Sequence, residues 1–282
     1  MEERFALIIG CARSGTTSLY SYLVQHPEIG ACRMVEPKFF ISDQPHWQNM
    51  QEYRSLWEVD TGPVLLEATT LYTWVPLLPN AAARIAQVDG DFRFLYIMRD
   101  PVERAESHIL KSATRGHVFP DDPVGDPWRM EVSKYAKQLD EYATRFGRER
   151  LHLLTLEALK ENPQRELERV CEFLGVRSDV EFDTSVQHNK TKGKTVNGTL
   201  WNWLRSIGGL RTLARCIPPS WRGQVRHLVN PTAEEAEDHY ALTPDQRRRF
   251  LKALSDDLHR LEHVYGVDTS RWNRSPNPTP DP

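Results

Sequence analysis

Phe5-Ala6-Leu7-Ile8-Ile9-Gly10-Cys11-Ala12-Arg13-Ser14-Gly15-Thr16-Thr17-Ser18-Leu19-Tyr20 joins an apolar run to a loop of small residues and then to a helix-like stretch. Gly10 and Gly15 have the spacing of the phosphate-binding pattern G-x-x-x-x-G-K-[ST], but Thr16 fills the lysine slot and a cation, Arg13, stands three residues earlier. The order predicts a strand over Phe5–Ile9, a helix from about Thr16 to Val24, and backbone N–H groups converging on an anion between them. Ser14, Thr16 and Thr17 add hydroxyl donors, and Ser18 completes the candidate set. A tight turn with a hydroxyl cap is the simpler alternative; the clustering of Arg13 with the hydroxyls favours an anion site.

At 282 residues, with 39% hydrophobic and 27% charged residues, the chain is expected to form one α/β domain over residues 1–274 with a disordered proline-rich tail over 275–282. A net charge of -3 gives no electrostatic case for a nucleic-acid partner, so any anion site is local. Cys11, Cys32, Cys171 and Cys216 show no CxxC spacing, which predicts reduced cytoplasmic thiols without a metal site. No apolar run approaches the roughly 20 residues of a membrane span, and the charged N-terminus does not read as a signal peptide.

Apolar runs at Phe5–Ile9, Val64–Leu66, Phe92–Met98 and Leu151–Leu154 alternate with helical patterns, which predicts a central parallel sheet flanked by helices on both faces. Helices are expected over Leu77–Val88, Val102–Lys111 and Trp128–Phe146. Another begins after Asn162-Pro163 and ends at Gly175, and a last one begins at the capping box Thr243-Pro244-Asp245-Gln246, giving a mostly helical C-terminal part. Residues 183–242 read as a long loop with short helices, and 42–62 and 111–130 as loops.

A second constellation is Arg99-Asp100-Pro101-Val102-Glu103-Arg104-Ala105-Glu106-Ser107-His108. Arg99 stands at a strand's carboxyl end, where open α/β sheets bind ligands, and this favours a ligand role. Asp100 and Arg104 read as a helix cap and a surface pair. A diphosphate or a phosphosulfate suits the first loop, whereas a nucleoside triphosphatase or kinase would need the missing lysine and a Mg²⁺ carboxylate.

In this order the two segments resemble the nucleotide-binding motifs of sulfotransferases that use 3'-phosphoadenosine 5'-phosphosulfate (PAPS) and release 3'-phosphoadenosine 5'-phosphate (PAP). The resemblance spans roughly residues 5 to 200. It implies a P-loop-like α/β fold in which Arg13, Ser14, Gly15, Thr16, Thr17 and Ser18 hold the 5'-phosphosulfate and Arg99 with Ser107 binds the 3'-phosphate. Val35-Glu36-Pro37-Lys38-Phe39-Phe40 is similar to the stretch that carries the general base in heparan-type and many bacterial members, which puts Glu36 in that role. His108 is the reserve base, and His26 also lies near the site segments. Lys192-Gly193-Lys194 resembles a late Lys-Gly-Arg loop that closes over the nucleotide, with lysine in place of the bidentate arginine. Glu67-Ala68-Thr69-Thr70-Leu71-Tyr72 resembles a Glu-Lys-Thr-Pro-x-Tyr segment, and Ala68 in place of its lysine argues against a heparan-like acceptor. The implied acceptor is a hydroxyl, or less favourably an amine, of a small molecule or glycan. No metal is expected. The competing classes are a small-molecule kinase and a nucleotide-binding protein without catalysis.

Overall fold

Strand β1, Arg4–Gly10, alternates its side chains between two buried layers: Phe5, Leu7 and Ile9 enter one core, Ala6 and Ile8 the other. A strand apolar on both faces belongs inside a parallel sheet covered on both sides. The computed structural model describes residues 3–42, 45–58, 62–114, 125–185 and 241–273. Across these, β2 (Ile29–Ala31), β3 (Val64–Ala68), β4 (Asp91–Met98) and β5 (Leu151–Thr155) join β1 in a five-stranded sheet of order β2-β3-β1-β4-β5, parallel throughout.

Helices α1 (Thr16–Leu23), α7 (Leu156–Glu161) and α8 (Pro163–Leu174) cover one face through Leu19, Leu23, Leu159, Leu167, Val170 and Leu174. The other face is covered by α3 (Ala81–Ile85), α4 (Pro101–Thr114), α5 (Pro127–Ser133), α6 (Tyr135–Phe146) and α9 (Pro244–His263). The short α2, Met50–Arg54, adds Tyr53 to that second core. In register, Leu7 lies opposite Glu67 on β3 and Phe94 on β4, so the strands end side by side on one edge.

The capping signals hold. Thr243 and Gln246 form the reciprocal box at 3.3 and 2.9 Å, and Asn162 Oδ1 accepts from the Arg165 N–H at 3.2 Å. Two helices differ from expectation. The run Leu77–Val88 is helical only over Ala81–Ile85, because Pro79 precedes Asn80 and the Asn80 side-chain Oδ1 accepts from the Ala83 N–H at 3.0 Å, capping the helix there. Trp128–Phe146 is two helices that break at Lys134, whose ψ is 77°. Asp257, from α9, accepts the Ala136 and Lys137 N–H groups at 3.0 and 2.9 Å and so caps α6 from across the core. β2, α2 and α7 were not read from the sequence; each has six residues or fewer.

The motif Lys192-Gly193-Lys194, the proline-rich tail and most of the irregular 183–242 stretch lie outside the described residues. No helix among the described residues is long and apolar enough to cross a membrane.

Leu7 is fully buried in the central strand. Leu7→Ala is expected to destabilise the fold by about 2–5 kcal/mol, seen as a lower urea midpoint with an unchanged slope.

Candidate functional site

The first loop leaves β1 at Gly10 and enters α1 at Thr16. A Cβ on Gly10 would lie 2.4 Å from Thr73 Oγ1 and 2.6 Å from the Tyr96 ring, so the strand end sits too close to its neighbours for a side chain. Gly15 has φ +90°, and a Cβ there would meet Leu156 Cδ1 at 2.6 Å. Arg13 is also left-handed, with φ 73°. This backbone brings the loop to the start of α1, whose first N–H groups have no intrahelical acceptor and whose first turn holds no acidic residue. Ser14 is fully buried within the loop, its hydroxyl beside the Cys11 thiol.

The structure joins the two motifs. Arg13 donates from Nε and Nη2 to Ser107 Oγ, on α4, at 3.1 and 3.0 Å. Two candidates ninety-four residues apart thereby form one surface. Arg99 stands at the end of β4, and its carbonyl accepts from Tyr135 OH at 2.8 Å. Its guanidinium has a structural partner that the sequence did not suggest: Glu103, one turn along α4, at 2.9 and 2.5 Å. A phosphate would share or displace that carboxylate.

Asp100 caps α4 as expected, accepting from the Val102 and Glu103 N–H groups at 2.8 and 3.0 Å. The expected surface role of Arg104 is overturned. Its side chain is fully buried and donates to Ser133 Oγ at 2.6 Å and to the Arg129 carbonyl at 3.1 Å, locking α4 to α5 behind the site.

Glu36 lies between β2 and the buried Phe39-Phe40 pair, which packs on Tyr53 at 4.9 and 4.8 Å between ring centroids. Its Oε1 accepts from Thr70 Oγ1 at 3.0 Å. Glu36 and Lys38 both have left-handed backbone, φ 53° and 58°, which residues with a Cβ adopt only where the surroundings impose it. Met34 and Val35, just before Glu36, are exposed.

His108 is partly buried on α4, its ring 5.8 Å from Trp74, which in turn packs on Trp128 at 5.6 Å. His26 is buried with both ring nitrogens in use. Nδ1 accepts from the Glu28 N–H at 3.0 Å, so Nε2 carries the proton and donates to the Arg177 carbonyl at 2.8 Å. It is structural.

Sequence reasoning did not place Thr70 or Glu67 among the site residues. Glu67, the penultimate residue of β3, is fully buried, and its carboxylate accepts from Tyr53 OH at 2.7 Å, Thr69 Oγ1 at 2.8 Å and Tyr72 OH at 3.0 Å. Burial pushes its carboxyl up to about 7; the three donors oppose that shift and the nearby charge of Glu36 adds to it. The signal was present: a lone acid inside an apolar strand, Val64-Leu65-Leu66-Glu67, followed by Thr69 and Tyr72.

A carboxyl whose folded pKa lies above its unfolded value of 4.5 contributes stability below pH 4.5 that is lost as the pH rises through about 7. Urea unfolding across pH 4 to 8 is therefore expected to show wild type losing stability relative to Glu67→Gln over that window. A pH-independent difference would show that Glu67 does not titrate there.

Known proteins resemble this chain in sequence and in fold. The sulfotransferase domain family matches residues 3–255. Human heparan sulfate glucosamine 3-O-sulfotransferase 3B1 is 29% identical over 204 residues, covering 67% of this chain and 50% of the human protein. Mouse bifunctional heparan sulfate N-deacetylase/N-sulfotransferase 4 is 24% identical over 297 residues, covering 95% of this chain and 31% of the mouse protein. The chain thus spans about half the length, or less, of these relatives. A sulfotransferase structure from Alicyclobacillus acidocaldarius superposes with a TM-score of 0.64 at 22% identity, over 96% of this chain and 99% of that one, a likeness of fold. With the family match covering the phosphate loop, the Glu36 segment and the Arg99–Ser107 motif together, the chain belongs to the sulfotransferase domain family.

Proposed function

We propose that this chain moves a sulfuryl group from PAPS to a hydroxyl of a small molecule or glycan, with Glu36 as general base. The observation that carries this reading is the contact of Arg13 with Ser107, which joins the 5'-side loop to the 3'-side helix. A donor with phosphate at both ends of its ribose matches two such groups; ATP, phosphorylated at one end, matches one.

The residues present fit that donor. The glycine-shaped loop and the open N-terminus of α1 suit the 5' end, with the Ser14, Thr16, Thr17 and Ser18 hydroxyls in the same stretch. Arg99 and Ser107 suit the 3' end, and Lys192, Gly193 and Lys194 are kept as further contacts. When bound, the donor supplies an activated sulfuryl group on a phosphate leaving group. Arg13, charged at every working pH, stabilises negative charge developing at that phosphate and donates no proton. Glu36, oriented by Thr70, takes the proton from the acceptor oxygen as it attacks. Transfer in line between two oxygens depends on such positioning and on cations. His108 is the reserve base, its ring 5.8 Å from that of Trp74.

The exposed Met34-Val35 pair offers an acceptor apolar surface next to the base, and Ala68 removes a lysine that a polyanionic glycan would use. Both favour a neutral or weakly charged hydroxyl compound.

Glu36→Gln is expected to lower turnover by about 10² to 10⁴ while PAP affinity stays within twofold, measured by donor consumption and calorimetry. PAP at 100 times its Kd is expected to stabilise the protein by about 2.7 kcal/mol, read as a raised Tm. Stabilisation by Mg-ATP and not by PAP would overturn the donor assignment.

A further inference from the structure

We infer that Glu67 is the positioning residue for Glu36, acting through two relays that hold the backbone on the far side of the base. Thr69 Oγ1 donates to Glu67 Oε2 at 2.8 Å and accepts the Lys38 N–H at 3.3 Å. Tyr72 OH donates to Glu67 Oε1 at 3.0 Å and accepts the Phe40 N–H at 3.4 Å. Each relay runs from a buried carboxylate through a hydroxyl to a backbone amide, so the acid at the root polarises the hydroxyl that the amide uses. The two amides stand two and four residues after Glu36, across the turn whose backbone is left-handed at Glu36 and Lys38. Such a turn persists only if its surroundings determine it from more than one side.

Three further residues close the frame. Tyr53 OH, on α2, holds the same Oε1 at 2.7 Å and fixes the carboxylate's orientation. Arg84, on α3, donates to the Phe40 and Ser42 carbonyls at 3.1 and 2.7 Å and holds the end of the segment. Thr70, the residue after the first relay, donates to Glu36 itself. Glu67 thus does for the loop what a second carboxylate does for a catalytic side chain: it touches no reacting atom and sets the position of the group that does.

This inference rests on Glu36 being the base, and the experiment separates the two claims. Thr69→Val and Tyr72→Phe each remove one relay with little change of volume, and Glu67→Gln keeps an acceptor for the tyrosines while placing an amide donor against Thr69. By amide hydrogen exchange, Thr69→Val and Glu67→Gln are expected to deprotect Lys38 and spare Phe40, and Tyr72→Phe to do the reverse. Each is expected to lower kcat about tenfold with KM for PAPS and PAP affinity unchanged. In a Glu36→Gln background the same substitutions are expected to cost nothing further in kcat, because the group they position has lost its function. Unchanged exchange at both amides, or an equal kcat loss in both backgrounds, would overturn the positioning role. Normal turnover in Glu36→Gln alone would overturn the base assignment, with the exchange pattern still deciding what Glu67 holds.

Discussion

Parallel pairing of β1 with β3 and β4 is the constraint on which the site depends. Parallel strands point one way, so the carboxyl ends of all three arrive at one edge, and the segments that leave them must meet there. From β1 comes the loop with Arg13 and Ser14; from β4 come Arg99 and the helix with Ser107; from β3 come Glu67, Thr69 and Thr70. Had any one of the three run antiparallel, its chemistry would sit at the opposite end of the sheet. The two apolar layers that bury β1 on both faces therefore fix the site before any polar contact is made.

Polar groups inside those layers divide into two kinds. Arg104 and Glu67 are both fully buried and of opposite sign, and they are not paired with each other. Arg104 donates from Nε and Nη2 to neutral oxygens of α5, and Glu67 accepts from three hydroxyls. A buried charge satisfied only by dipoles is costly unless the dipoles are held in place. The raised carboxyl of Glu67 is the signature of that cost. Each sits where a loop or helix bearing a site residue must be held: Arg104 three residues before Ser107, Glu67 behind the Glu36 turn.

Much of this was legible because the signals are local. Strand cores, the capping box at Thr243 and the Asn162-Pro163 start are written in adjacent residues, and so is the glycine spacing that shapes the phosphate loop. What was not legible is tertiary. The break at Lys134 follows from Asp257, more than a hundred residues away, supplying the cap to α6. Arg104 carries the pattern of an exposed helical arginine, and only the arrival of Ser133 and the Arg129 carbonyl makes its burial tolerable. The pairing of Arg99 with Glu103 is by contrast a local one, four residues along the chain.

The displaced cation of the first loop shows how one substitution is read at all these levels. A lysine in the slot after the second glycine of the phosphate-binding pattern stands in the first turn of the helix as a point charge. Here that slot is Thr16, within α1, and the cation stands before Gly15 on a left-handed backbone that directs it across the loop. An arginine suits this route because its planar edge engages a single oxygen with two nitrogens, as Nε and Nη2 engage Ser107 Oγ. The guanidinium is thereby oriented by α4 rather than by its own helix. Loop and helix are joined through one pair of hydrogen bonds. That link is what a donor carrying charge at both ends of one ribose would exploit, and it gives the missing lysine its physical meaning.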